Sequence, residues 1–160
     1  MTLDIRFEDW LALNQLNAEY ASALDSAQWE RWPEFFTEQC VYRVQPRENH
    51  ERGFPLATMD LSSKGMLKDR VYGIKETLFH DPYYQRHVVG APVIHRAQPD
   101  RFECETNYAV FRTKLSDTTT VFNVGRYLDI VVRTNDGLKF ASRECIYDSE
   151  MIPNSIIYPI

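Results

Sequence analysis

Apolar residues recur at three- and four-residue steps near the start of the chain. Between residues 5 and 25, Trp10, Leu13, Leu16, Tyr20 and Leu24 form one face of an amphipathic helix, which Asp4 is placed to cap. The next segment, "SAQWERWPEFF", has Ser26 as a cap candidate and offers Trp29, Trp32, Phe35 and Phe36 as a buried side. Pro33 lacks an amide hydrogen, so it kinks or splits this second helix. Residues 40–47, "CVYRVQPR", alternate as a strand does, "ENHERGFP" reads as a polar turn and "LATMDL" as a short strand. A third helix is predicted over residues 62–79, opened by Ser62 or Ser63, with Leu67, Val71, Ile74 and Leu78 on one face. Gly65 and Gly73 weaken it slightly.

From residue 85 the period changes to two. Four strands are predicted, "QRHVVGAPVIHRAQ", "RFECETNYAVFRTKL", "TTTVFNVGRYLDIVVRT" and "LKFASRECIYDS", separated by "PD", "SDT" and "NDG" turn chemistry. In the third, Phe122, Val124, Leu128, Ile130 and Val132 are assigned to one face, and Asn123, Gly125, Tyr127, Asp129 and Arg133 to the other. A long sheet with one apolar face needs a cover, and the apolar helices all precede it. The expected class is α+β: three N-terminal helices packed on a curved, mostly antiparallel sheet of about five or six strands, in a single domain spanning residues 1–160.

Composition narrows the function classes. A formal net charge of −5 and the lack of a basic stripe argue against nucleic-acid binding, which needs clustered Lys and Arg. The start, "MTLDIRFEDWLALN", is acidic where a secretory signal is basic and then apolar, and no apolar run approaches the roughly 20 residues of a membrane span. A soluble, cytoplasmic protein is expected. Cys40, Cys104 and Cys145 are odd in number and far apart, which suits reduced, buried thiols.

The densest cluster of chemistry is "HDPYYQRH", residues 80–87, which has the two-histidine, one-carboxylate ligand types of a non-haem iron site. Pro82 restricts Asp81 to extended geometry, and the seven-residue gap from His80 to His87 matches neither helical nor strand pairing. Metal binding is therefore disfavoured. Asp25, Tyr42 or His87 facing a cavity beneath the helices is a candidate for acid-base work, weighed against the blander reading of hydrogen-bonded core residues. Neither a nucleophile elbow, a phosphate loop nor a dinucleotide-binding glycine pattern occurs. The ending "MIPNSIIYPI" is unusually apolar for a chain end. Ile156, Ile157, Tyr158 and Ile160, with Tyr83, Tyr84 and Arg86, are therefore candidates for a subunit interface, the alternative for the ending being that it packs on its own domain.

Three stretches, "EYASALDSAQWERWPEFFTEQCVYRVQPREN", "DRVYGIKETLFHDPYYQRHVVG" and "RECIYDSEMIPNSIIYPI", carry a resemblance to the small (β) subunit of Rieske-type aromatic-ring-hydroxylating oxygenases. The resemblance covers nearly the whole chain and is nearest to the small component of salicylate 5-hydroxylases. It implies a cone-shaped fold of the nuclear-transport-factor-2-like type. It also implies an α3β3 hexamer in which a large α subunit carries a Rieske [2Fe–2S] cluster and a mononuclear iron, supplied with electrons through a reductase and a ferredoxin. On that expectation the present chain is a structural subunit with no catalytic, cofactor or metal residue of its own. The rival expectation keeps the fold and makes the chain a stand-alone isomerase or dehydratase with an acid-base pair in the cone.

Overall fold

The first helix, α1 (Phe7–Asp25), buries Leu13, Leu16, Tyr20 and Leu24 as its period requires, while Trp10 stays at the surface. The structure, a computed structural model, describes residues 5–153 and 155–160. The cap assigned to Asp4 lies outside the described residues. Within them α1 starts after Arg6, whose side chain makes no cap but pairs with Asp9. Ser26 closes α1 instead of opening a second helix. That second helix is a 3-10 turn, Trp29–Phe35, with Pro33 inside it. Its three-residue period still carries Trp32 and Phe35 into the core, leaving Trp29 half-buried.

The polar turn after the first strand contains a short helix, α2 (Arg47–Glu51). The third helix is split. The α-helix α3 (Lys64–Tyr72) starts at Ser63, whose Oγ accepts the Met66 N–H at 3.2 Å. A π-helical turn, Gly73–Thr77, then ends it, so Ile74 is buried while Leu78 reaches solvent.

The strands form one sheet of seven: β1 (Phe36–Pro46), β2 (Met59–Leu61), β3 (Tyr83–Val89), β4 (Val93–Gln98), β5 (Arg101–Lys114), β6 (Thr120–Thr134) and β7 (Gly137–Tyr147). Their order is β2-β1-β7-β6-β5-β3, with β4 also paired to β5. All pairings are antiparallel except β1 with β7. The strand expected over residues 85–98 is two strands, broken at Gly90-Ala91-Pro92, because Pro92 cannot continue a ladder. Register shifts in the β1–β7, β4–β5, β5–β6 and β6–β7 ladders bend the strands, and the sheet curls around α1.

A bulge also brings Phe122 to the inner face of β6. Phe122 is an extra residue between the paired positions Val121 and Asn123, so Phe122 and Asn123 are both buried, followed inward by Tyr127, Asp129 and Val131. Leu128, Ile130 and Val132 are only half-buried and Val124 is exposed. The expected faces are thus exchanged. The inner face is aromatic and carries paired polar groups, while the aliphatic row points outward.

The core lies between α1, the 3-10 turn and the concave face of the sheet, around Tyr20, Trp32, Phe36, Tyr42, Tyr127 and Phe140, each at most 1% exposed. Every fully buried side chain of this size contributes about 1.5–3 kcal/mol by leaving water. Their rings meet mostly edge to face, as Trp32 does with Tyr42 at 5.0 Å.

Candidate functional site

The last residue of α1, Asp25, faces β3, whose alternation turns Gln85 and His87 inward and Tyr84, Arg86 and Val88 outward. The Asp25 carboxylate accepts the His87 main-chain N–H at 2.9 Å and His87 Nδ1 at 2.5 Å. A carboxylate only accepts, so Nδ1 carries the hydrogen. Both side chains are sealed, at 5% and 0% exposure, and His87 Nε2 has no partner among the described residues. Two of the three acid-base candidates are therefore neighbours, 62 positions apart in sequence.

Tyr42 is not with them. Its hydroxyl accepts the Ile160 N–H at 2.8 Å and donates to the Ile160 carbonyl at 3.2 Å. Burial pushes it well above its usual pKa, so it stays protonated. Tyr20 donates to the same carbonyl at 2.7 Å. The cone's interior is thus occupied by the chain's own ending. Five surface depressions of about 250 to 420 Å³ are each lined by residues other than Asp25, His87 and Tyr42.

A second buried polar group was not anticipated from the sequence. Arg143 on β7 donates from Nε and Nη2 to the two oxygens of Asp129 on β6, at 2.9 and 2.7 Å, and from Nη2 to Asn17 of α1. Its guanidinium lies 3.9 Å from the ring centres of Tyr127 and Phe140 and 4.3 Å from that of Tyr20. Burial opposes both charges and raises the Asp129 carboxyl above its usual range, while the two-pronged carboxylate holds Arg143 above the usual arginine pKa. The one sequence signal was an Asp and an Arg on consecutive predicted strands. Their cross-strand register, Asp129 opposite Arg143, makes them a pair.

The residues of "HDPYYQRH" diverge. His80 Nδ1 donates to the Leu78 carbonyl at 3.2 Å and Nε2 accepts from the Tyr158 hydroxyl at 2.8 Å. Asp81 faces Lys114 at 3.8 Å in solvent, and His87 is held by Asp25. Among the described residues no three His, Cys, Asp or Glu side chains gather as metal ligands would. Cys40, Cys104 and Cys145 are buried on three different strands, and burial pushes the thiols of Cys104 and Cys145 up to about 12. These residues do not fit an iron–sulfur cluster, which takes thiolates on closely spaced positions.

Of the seven interface candidates, Ile156, Tyr158 and Ile160 are buried in their own domain. Tyr83 and Ile157 are half-buried, with Tyr83 packed on Tyr158 at 4.5 Å. Tyr84 is 78% exposed and the Arg86 side chain 75%. Next to them the outer face of the sheet bears an apolar row that sequence reasoning missed, since Val88 pairs with Ala109, Ala109 with Val124, and Phe111 with Val121. Val88, Val121 and Val124 are all exposed.

Over residues 19–154 the chain matches the family described as ring hydroxylating beta subunit. It is 32% identical over 151 residues to the anthranilate 1,2-dioxygenase small subunit of Burkholderia cepacia, covering 94% of each chain. It is 31% identical over 144 residues to the beta 1 subunit of the terminal oxygenase component of terephthalate 1,2-dioxygenase from a Comamonas species, covering 90% of this chain and 94% of the other. The crystal structure of a β subunit assigned to an aromatic-ring-hydroxylating dioxygenase of Novosphingobium aromaticivorans superposes with a TM-score of 0.87 at 35% identity, over 95% of this chain and 97% of that one.

Proposed function

The chain belongs to the ring hydroxylating beta subunit family: it is the small subunit of an aromatic-ring-hydroxylating dioxygenase and works with a large subunit, and we propose that its own part in that enzyme is structural. The observation that carries this reading is the sealed cone. The acid-base candidates Asp25 and His87 reach each other with side chains almost wholly buried, and the chain ending is held inside the cone by Tyr20 and Tyr42. Proton transfer to a substrate requires contact with it, and a filled cone leaves no place for that contact.

The assembly proposed is an α3β3 hexamer in the cytoplasm, with copies of this chain forming a trimer. The outer row of Val88, Val121 and Val124, with Tyr84 and Arg86 beside it, is surface of the kind that meets a neighbouring subunit. The Rieske [2Fe–2S] cluster and mononuclear iron are assigned to the large subunit, which supplies the oxygen chemistry with electrons delivered through a reductase and a ferredoxin. The substrate class proposed is an aromatic carboxylate, salicylate among the candidates. Relatives above 30% identity are named for anthranilate and terephthalate, both aromatic acids.

The test is co-expression with a candidate large subunit, followed by mass measurement and turnover of salicylate, anthranilate and terephthalate. The expected result is a heteromeric complex that hydroxylates one of these, and that keeps its iron content and most of its turnover when His87 is replaced by Gln. The rival reading, a stand-alone isomerase or dehydratase, rests on the same Asp25–His87 pair. A small chain that stays monomeric and never co-purifies with a large one would favour it. So would a complex whose turnover collapses in His87→Gln with assembly and iron intact.

A further inference from the structure

The last residues of the chain are bound the way a peptide ligand is bound. Ile156, Tyr158, Pro159 and Ile160 are all buried and Ile157 is half-buried, so the segment is enclosed along its length as an extended peptide in a deep groove is. Its carbonyls are held by side chains of four separate elements rather than by a strand edge. Arg70 Nη2 on α3 donates to Ile156 at 3.0 Å and Ile157 at 2.9 Å, and Gln85 Nε2 on β3 donates to Pro159 at 3.3 Å. Tyr20 on α1 and Tyr42 on β1 take the Ile160 carbonyl, and Tyr42 also takes its N–H.

The Tyr158 ring sits between Trp29 and Tyr83, each 4.5 Å away centre to centre, with its hydroxyl on His80 Nε2. Gln85 Oε1 and Arg70 Nε, both buried, have no partner among the described residues, so the slot offers more hydrogen bonding than its occupant uses. Upstream, Glu150, Met151, Pro153 and Ser155 are exposed, while Ile152 is half-buried against the core.

We infer that the cone is a peptide-binding slot which residues 156–160 occupy as a separable plug, and that its ligand class is an extended apolar peptide with a tyrosine at its centre. The slot recognises main-chain carbonyls through Arg70, Gln85, Tyr20 and Tyr42, and the register through one aromatic pocket. Peptides of this pattern compete with the chain's own ending.

To test this, a site-specific protease sequence is inserted between Glu150 and Met151 of the full-length chain and cut after folding. The released fragment is expected to co-elute with the body and to exchange with a tenfold excess of fluorescent peptide covering residues 155–160. A Tyr158→Ala version of that peptide should bind at least tenfold more weakly. The inference is overturned if the fragment leaves and the peptide does not bind, if the body unfolds and the peptide does not restore it, or if the fragment never exchanges. Should the insertion itself prevent folding, the uncut Tyr158→Ala chain decides. It is expected to take up labelled peptide that the unaltered chain excludes, and no uptake overturns the inference.

Discussion

His87 donates from Nδ1 to Asp25 across 2.5 Å while its main-chain N–H donates to the same carboxylate at 2.9 Å, so two hydrogen bonds tie the end of α1 to the edge strand β3. Asp25→Ala leaves both donors buried without an acceptor, at about 1–3 kcal/mol. In a chain of this size each kcal/mol lowers the melting temperature by about 2–4 °C. Calorimetry should register that fall, and turnover per assembled complex should stay near that of the unaltered enzyme. A loss of turnover far beyond the loss of folded protein would instead make the pair catalytic.

The side chains of Arg143 and Asp129 are each at most 1% exposed. Removing one partner strands a buried charge, so Arg143→Met and Asp129→Leu are each expected to cost about 3–5 kcal/mol. The double variant should be more stable than the sum of the two losses, because no unpaired charge remains. Urea titrations of the four proteins measure this, and simple additivity would count against the pair.

Acid stability should depend on Asp9. Arg6 bonds both its oxygens, at 3.0 and 3.2 Å, and Arg133 bonds one at 2.6 Å, and these partners hold the Asp9 carboxyl below its usual range. A depressed folded pKa stabilises above the unfolded value of about 3.9, and that contribution disappears as pH falls through the lower folded value. Melting temperatures measured from pH 6 down to 3 should fall less steeply in Asp9→Asn than in the unaltered chain.

The three cysteines are buried, and the thiols of Cys104 and Cys145 are pushed by burial up to about 12. At pH 8 almost none of either is thiolate, the reactive form. A chromogenic disulfide reagent should find them inert in the native protein and reactive in urea. Rapid native labelling of Cys104 or Cys145 would mean that these strands open.

Gly125 is a close-approach position. A Cβ built there would lie 1.9 Å from the carbonyl oxygen of Ile146 on β7, so Gly125→Ala must push two paired strands apart. Overpacking of this kind costs about 1–3 kcal/mol or more. Lower soluble yield and a lower melting temperature are expected, while Gly53→Ala, with nothing within 4 Å but a φ of +68°, should show only the smaller strain of a left-handed turn.

What could be read in advance was what depends on neighbours in sequence. Leu13, Leu16, Tyr20 and Leu24 show their face through the helical period alone, and Ser63 shows the start of α3 through its own side chain. Asp25 and His87 could be named as candidates because their residue types are uncommon in a core. Their pairing could not, since it is made when α1 crosses β3. The exchange of faces in β6 escaped notice because alternation separates two faces without saying which one lies inside, and Phe122 joins the inner side only through a bulge, which has no signature in a strand of otherwise ordinary residues.

The division follows from the range of the forces. Periodicity, turn chemistry and composition are local, and by themselves they determined an α+β chain with helices first and a long, mostly antiparallel sheet after them. Only the tertiary structure decided what lies inside the cone. Asp129 finds Arg143 across a ladder, and Ile160 finds Tyr20 and Tyr42 at separations of 140 and 118 residues. Burying polar groups costs too much unless such partners arrive, and it is the folded sheet that brings them together.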